Sequence, residues 1–312
     1  MAEIAAPSEV RRSWSALGLL AVLIFAWGGN YTWIKLALSD IGPWTFNAAR
    51  FCGAALIVGL VLLLKRGPRH LLPVRGERTS LAIIGLLPGA VLTVLITASL
   101  MWIKATHTIL LIYTNPIWTL IFSVLILDER FTFFNVAGVG LGLFGMLLLI
   151  NPLALEWQSS TLPGIGAAVT GAVAWALGSV LYRRRTWRST FWQQVFWQLT
   201  ASGLLTALCA ALFEGDHAFT PSARLALITL YNVLIPTALA FWCWSQALSR
   251  IKASTASQVL LLSPVFGVAQ SHVLLGEPLT DATLASGAAI ITGACLTLLH
   301  GASRRKPKAA AR

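Results

Sequence analysis

Side chains able to do chemistry are scarce in this sequence, and many of them interrupt long apolar runs. Asn30 and Tyr31, Thr93 and Thr97, and Tyr113 and Asn115 do so in the first half of the chain; Trp175 and Ser179, Trp242 and Gln246, and Gln258 and Ser263 do so in the second. Residues four apart share a helix face, which pairs Thr93 with Thr97 and Trp242 with Gln246. With Trp27, these amides, hydroxyls and aromatic rings suit the holding of a zwitterion with a large apolar side chain, without any bond being made or broken. Hydrogen bonding and close packing between membrane helices use the same residue types, so both uses stay open. Arg50 falls about two turns inside an apolar run, where a lone charge is costly. Ordering nearby carbonyls and binding a carboxylate are its two readings.

Enzyme chemistry is harder to assemble. No pair of Asp residues, His-Glu-x-x-His helix or Ser-base pair interrupts the apolar runs, and the adjacent Ser271 and His272 point to different helix faces. Gly140-Leu141-Gly142-Leu143-Phe144-Gly145 spells a dinucleotide fingerprint but follows no strand, so the context that gives the motif meaning is absent. Gly138 and Gly142, and the stripe Ala285, Ala289 and Gly293, read instead as close helix packing. A Gly-x-x-x-x-Gly-Lys phosphate loop is missing, and Cys52, Cys209, Cys243 and Cys295 all fall inside apolar runs without a Cys-x-x-Cys spacing. They read as small buried residues. The expectation is a non-enzyme that uses no cofactor, metal or ATP. The acidic residues all lie in loops, tails or run ends, which argues against a proton-carrying carboxylate inside a span. His107 is expected at an outer mouth beside Lys104 as a solvated histidine.

The elements that must position these residues are membrane helices. The chain is 57% hydrophobic and only 11% charged, with a mean hydropathy of +0.76. Apolar runs of the length that crosses a hydrocarbon core of about 30 Å recur at 15–37, 43–64, 79–102, 107–127, 134–150, 162–182, 190–213, 224–248, 253–275 and 281–300. They are continuous rather than alternating, which excludes a β-barrel. The first run is full length, so a cleavable signal peptide is not expected. With the N-terminus placed in the cytoplasm, all basic residues except Lys35, Arg50, Lys104 and Arg224 fall in inner segments. That bias puts both termini inside and explains the net charge of +12 through topology and contact with anionic lipid, not nucleic acid. Lys35 is expected to snorkel outward.

The chain also repeats itself at a constant offset of 148 residues. Trp27 matches Trp175, Trp44 matches Trp192, Pro88 matches Pro236, Pro116 matches Pro264, and Lys104 and Glu129 match Lys252 and Glu277. Five spans per half is odd, so the second half enters the membrane upside down, the inverted-repeat plan of secondary transporters. The expected division is 1–14 cytoplasmic segment, 15–152 first repeat, 153–160 extracytoplasmic linker, 161–300 second repeat and 301–312 basic cytoplasmic tail. Each interior proline removes a backbone bond, so the matched Pro88, Pro116, Pro236 and Pro264 mark the helices expected to bend beside a cavity. Lys104 with Glu277 outside, and Lys252 with Glu129 inside, form candidate gate charges that pair in turn.

These residues resemble the drug/metabolite transporter superfamily, in its ten-helix branch built from two EamA-type domains. The resemblance rests on Trp27-Gly28-Gly29-Asn30-Tyr31-Thr32-Trp33-Ile34-Lys35, on Ala49-Arg50-Phe51, and on the segments from Pro116 to Glu129 and from Pro264 to Glu277. It implies an all-α integral membrane protein of the bacterial inner membrane that works as a monomer. Within the superfamily the chain is similar to aromatic amino-acid exporters, which implies outward transport of amino acids or related metabolites through a central cavity. The residues themselves leave open other cargo classes with proton coupling and, more remotely, a membrane-embedded enzyme.

Overall fold

The computed structural model describes residues 9–103, 105–130, 132–150, 161–215, 219–275 and 279–303. They are helix and connection throughout, with no strand among the described residues. The first expected span is delivered as α1 (Glu9–Gly28) and α2 (Asn30–Ala37), which part at Gly29. Helix α3 (Pro43–Arg66) opens on proline, whose missing N–H is no loss at a first helical position.

Pro88 and Pro236 explain the next break. A proline ring clashes with the turn before it and removes a bond from a regular helix, and a wide π turn absorbs both defects. Pro88 lies in such a turn, Leu86–Val91, between α4 (Arg78–Gly85) and α5 (Leu92–Ser99). Pro116 and Pro264 behave differently. The fourth span breaks at residues 113–114 into α6 (Ala105–Ile112) and α7 (Asn115–Leu127), and Pro116 occupies the first turn of α7, where no backbone donor is required. It therefore starts a second helix instead of bending one.

After α8 (Phe133–Ile150), α9 (Leu162–Arg184) and α10 (Phe191–Phe213), the pattern recurs. Helix α11 (Ala223–Asn232), the π turn Val233–Leu239 holding Pro236, and α12 (Ala240–Leu248) repeat the broken third span. Helices α13 (Ala253–Val259) and α14 (Leu262–Leu275) repeat the fourth, with Pro264 in the first turn of α14. Helix α15 (Asp281–Ser303) closes the order. Gly67 and Gly215, matched by the repeat, follow α3 and α10 at φ of 83° and 58°, a conformation that glycine adopts without steric cost.

Among the described residues, seven helical stretches are long and apolar enough to cross a membrane, and Ser15–Gly28 and Phe133–Leu149 are apolar but shorter. Lipid tails are as apolar as leucine, so helices associate through close packing and hydrogen bonds. The α8–α15 pair shows both. A Cβ on Gly293 would stand 2.6 Å from the Gly138 carbonyl oxygen, and the Ser286 hydroxyl donates to the Gly145 carbonyl at 2.7 Å. Ala285 of the expected small-residue stripe is exposed. Helix α3 runs against α10, and α9 against α5 and α7. Cys209 and Cys243 are buried as expected, whereas Cys52 and Cys295 are exposed on the outside of the bundle, where an apolar residue meets lipid.

Carboxylates tie the two halves together at both ends. Glu214, after α10, accepts the backbone N–H groups of Trp44 (3.2 Å) and Thr45 at the start of α3, and the Thr45 hydroxyl at 3.0 Å. At the opposite end Glu77, before α4, accepts the N–H groups of Arg188 and Ser189 ahead of α10. Anionic groups belong at helix N-termini. Burial pushes the Glu77 carboxyl upward, but these hydrogen bonds and the nearby Arg185 outweigh it and hold the group below the usual range. On the Glu214 side the half-buried Asp40 is lowered by its hydrogen bond from Arg224, 2.7 Å away.

Candidate functional site

A cavity of about 250 Å³ lies between the two halves. It runs from the level of Pro88 and Pro236 toward the end of the bundle that carries Leu38, Pro43 and Leu100. Part of the wall comes from broken elements, where a π turn or a helix restart turns backbone and side chains away from a straight packing ridge, and part from the continuous helices α3 and α9. Its sides are aromatic, from Trp27, Phe46, Phe51, Trp175 and Phe241.

The floor is a packed ring cluster. Trp27 meets Trp175 edge-on with centroids 5.5 Å apart, Trp244 stacks beneath Trp175 at 5.2 Å, and Phe241 touches Phe51 at 5.9 Å. The Trp27 indole N–H donates to the Pro236 carbonyl at 2.8 Å. That bond fixes the ring to the π turn and gives its polar atom the partner it needs when buried.

Polar atoms are few, and three side-chain oxygens among them have no partner. Asn30, Asn115 and Ser263 are 5%, 7% and 1% exposed, and Asn30 Oδ1, Asn115 Oδ1 and Ser263 Oγ have no hydrogen-bond partner. Asn115 Nδ2 donates to the Ile112 carbonyl at 3.1 Å, which leaves Oδ1 as a fixed acceptor. A buried polar atom without a partner costs about 1–3 kcal/mol, so these positions favour a ligand or water that supplies one. Asn47 is committed: its Nδ2 donates to the Pro43 carbonyl (2.9 Å) and to Thr97 Oγ1 (3.2 Å), and Thr97 donates to the Thr93 carbonyl (2.9 Å). That chain ties α3 to α5 along the wall. Arg50 is the one charged side chain among the described lining residues, and its guanidinium sits 4.7 Å from the centre of the Phe51 ring.

Of the residues singled out by sequence, Trp27, Asn30, Thr93, Thr97, Tyr113, Asn115, Trp175 and Ser263 line the cavity, together with Pro88 and Pro236. The rest are engaged elsewhere. Ser179 donates to the Trp175 carbonyl within its own helix, Trp242 stacks on Trp192 at 5.5 Å, and Gln246 accepts from Arg250 at 2.7 Å. Gln258 approaches the Asn135 carbonyl at 3.4 Å, and Pro116 and Pro264 are not among the lining residues. The side chain of Tyr31, and the candidate gate charges Lys104 and Glu277, lie outside the described residues. Glu129 makes its ion pair with Arg183 at 3.8 Å and accepts from Ser254 at 3.4 Å, while Lys252 caps α13 through its backbone. His107 is buried at 4% exposure rather than solvated. Phe46, Phe51 and Phe241 were not singled out, although Phe46, Asn47 and Arg50 share a helix face by spacing and Phe241 is the repeat mate of Thr93.

Comparison with known proteins agrees with this architecture. The model of the EamA-like transporter family matches residues 13–151 and again 162–299. The chain is similar to a Salmonella typhimurium protein described as a probable amino-acid metabolite efflux pump, at 26% identity over 298 residues, covering 92% of this chain and 96% of that one. A Bacillus subtilis protein described as an uncharacterized transporter is 26% identical over 266 residues, covering 85% of this chain and 89% of its own. A solved crystal structure at 24% identity shares the fold, with a TM-score of 0.80 over 94% of this chain and 99% of that one.

Proposed function

The chain belongs to the EamA-like transporter family and is a multi-pass membrane transporter, and on that premise we propose that it exports small metabolites, aromatic or other apolar amino acids foremost, by alternating access. The observation that carries this reading is the cavity's lining, which combines one guanidinium, unpartnered amide oxygens and aromatic rings. Arg50 offers a planar fork to a carboxylate. The unpartnered amide oxygens of Asn30 and Asn115 accept from an ammonium group, which also suits the faces of Trp27 and Trp175. The ring walls cover an apolar side chain. The description of the Salmonella relative as an amino-acid metabolite efflux pump favours the same cargo and an outward direction.

The repeat supplies the motion. Trp27 and Trp175, Pro88 and Pro236, Thr93 and Phe241, Ile112 and Leu260, and Asn115 and Ser263 are all mates at the 148-residue offset, and all line this one cavity. The mates of other lining residues are buried in the closed half. Tyr182, Gln194, Gln198, Trp244, Ser245 and Leu248 correspond to Ile34, Phe46, Arg50, Ile96, Thr97 and Leu100. In an inverted repeat, exchanging the conformations of the two halves opens that second set to the other side. Buried polar groups such as Gln194, bonded to Tyr182 and Ser189, then have a use that packing alone does not require. With both termini cytoplasmic, the present mouth faces outward.

No acidic side chain is among the described lining residues, which supports a gradient-driven carrier working without proton coupling or ATP. Counterflow tests the reading. Proteoliposomes loaded with unlabelled tryptophan should take up labelled tryptophan transiently, and an imposed proton gradient should not raise the plateau. Absence of counterflow for every aromatic and apolar amino acid sinks the cargo assignment, and accumulation driven by the proton gradient sinks the uncoupled mechanism.

A further inference from the structure

A second concavity, of about 640 Å³, opens at the opposite end of the bundle from the cavity mouth. Its charged lining is unbalanced: Arg75, Arg184, Arg185 and Arg188 face a single carboxylate, Glu77. That carboxylate accepts the Arg188 and Ser189 N–H groups and lies near Arg185, but one negative charge against four guanidinium groups leaves the hollow strongly positive. Arg185 donates to the Gly76 carbonyl, and the side chains of Arg75, Arg184 and Arg188 meet no acceptor among the described residues. Four like charges in one hollow repel one another, and an anion relieves that repulsion while offering oxygens in the geometry arginine forks prefer.

The depth of the hollow identifies the anion. Membrane-spanning stretches begin at Arg78 and Phe191 and end at Arg184, so the arginines stand at headgroup level. Ser80 and Thr186 add hydroxyl donors at the same level. On the bilayer side the lining is apolar, and Ile83 there is 36% exposed. A free phosphate uses the arginines and ignores that wall; a lipid uses both. We propose that the hollow is a binding site for the phosphodiester headgroup of an anionic phospholipid in the leaflet at this face, with its acyl chains along Ile83. Because Arg75 precedes α4 and the other three arginines surround the α9–α10 connection, the bound lipid bridges the two halves of the chain. Basic pockets between membrane helices are suited to such headgroups.

The test uses the full chain in a non-ionic detergent, titrated with short-chain phosphatidylglycerol, short-chain phosphatidylcholine or inorganic phosphate, reading the thermal unfolding midpoint. Phosphatidylglycerol should raise the midpoint by several degrees and saturate; the other two should leave it unchanged. The double variant Arg75→Gln, Arg188→Gln should lose the shift, and Lys65→Gln, Arg66→Gln, at the exposed end of α3, should keep it. Should the first double variant not fold, Arg75→Gln alone, at an exposed position, should reduce the shift by at least half. An equal shift from inorganic phosphate overturns the lipid assignment. A shift that survives loss of the pocket arginines, or vanishes with Lys65 and Arg66, overturns the location.

Discussion

Replacing Arg50 by glutamine keeps an amide at nearly the same reach and removes the charge and the two-pronged donor. If the guanidinium holds the cargo carboxylate, the loss is that of a hydrogen bond to a charged group, about 1.5–3 kcal/mol. Arg50 is half-buried, so the lower part of that range applies, and at 1.4 kcal/mol per tenfold affinity should fall roughly 10- to 30-fold. The assay is inhibition of tryptophan counterflow by tryptophan itself and by tryptamine, which has the same ring and amine but no carboxylate. The wild type should prefer tryptophan. The variant should lose most of that preference because tryptophan weakens, while tryptamine inhibition stays within about 3-fold, roughly the factor by which measured contributions scatter. Arg50→Lys should fall between the two, since a lysine keeps the charge but not the fork that the guanidinium offers. Equal weakening of tryptophan and tryptamine in Arg50→Gln refutes the reasoning, because it assigns Arg50 to holding the wall. Unchanged affinity for both refutes it as well.

Three further outcomes follow from the geometry. In a cysteine-free background, Leu100→Cys should react with an impermeant maleimide from the face carrying the cavity mouth, and its mate Leu248→Cys only from the opposite face during turnover; labelling of both from one face defeats the exchange of repeats. Glu77→Gln should lower stability by about 2 kcal/mol near neutral pH, from weakened charge-assisted bonds to the Arg188 and Ser189 N–H groups. Because the folded carboxyl lies below its ordinary value of 4.5, that gap in unfolding midpoint should be full above 4.5 and close as pH falls through the lowered pKa; a gap unchanged down to pH 2 contradicts it. Gly293→Ala should destabilise by about 1–3 kcal/mol, since its Cβ would stand 2.6 Å from the Gly138 carbonyl oxygen. Gly140→Ala, with nothing within 4 Å, should be near neutral in the same melt.

How much of this was legible in the sequence depends on the scale of the interaction. Spans are set by hydropathy and length, so the expected boundaries match the helices closely. Pro88 and Pro236 announced broken helices because no backbone escapes the missing N–H. Whether a proline widens a turn, as at Pro88, or starts a new helix, as at Pro116, depends on the preceding two residues and on neighbours that periodicity does not encode. Asn115 and Ser263 were legible as cavity candidates because a polar side chain inside an apolar run is costly without a use. Gln246 was not, because its fate is decided by Arg250 one turn away. Glu214 and Glu77 look like ordinary loop acids in sequence; that Glu214 meets the start of α3 and Glu77 the segment ahead of α10 depends on contacts far along the chain. His107 reads as exposed from its place near a span end, yet tertiary packing buries it.

The repeat also shows where the two halves stop being equivalent. The mate of Arg50 is Gln198, buried and within 3.5 Å of Ser245. In the proposed cycle the cavity open on one side presents a guanidinium, and the cavity open on the other presents an amide at the corresponding place. A ligand shifts an equilibrium between two conformers only by the ratio of its affinities for them. A carboxylate held more tightly by the Arg50 state would therefore draw the loaded carrier toward the present conformer by that same ratio, while the empty carrier is free to return. A carrier without coupling gains no power to concentrate cargo from this asymmetry. It gains a bias in which side the loaded form faces, and for a carboxylate that bias is set chiefly by Arg50, whose charge the repeat did not copy.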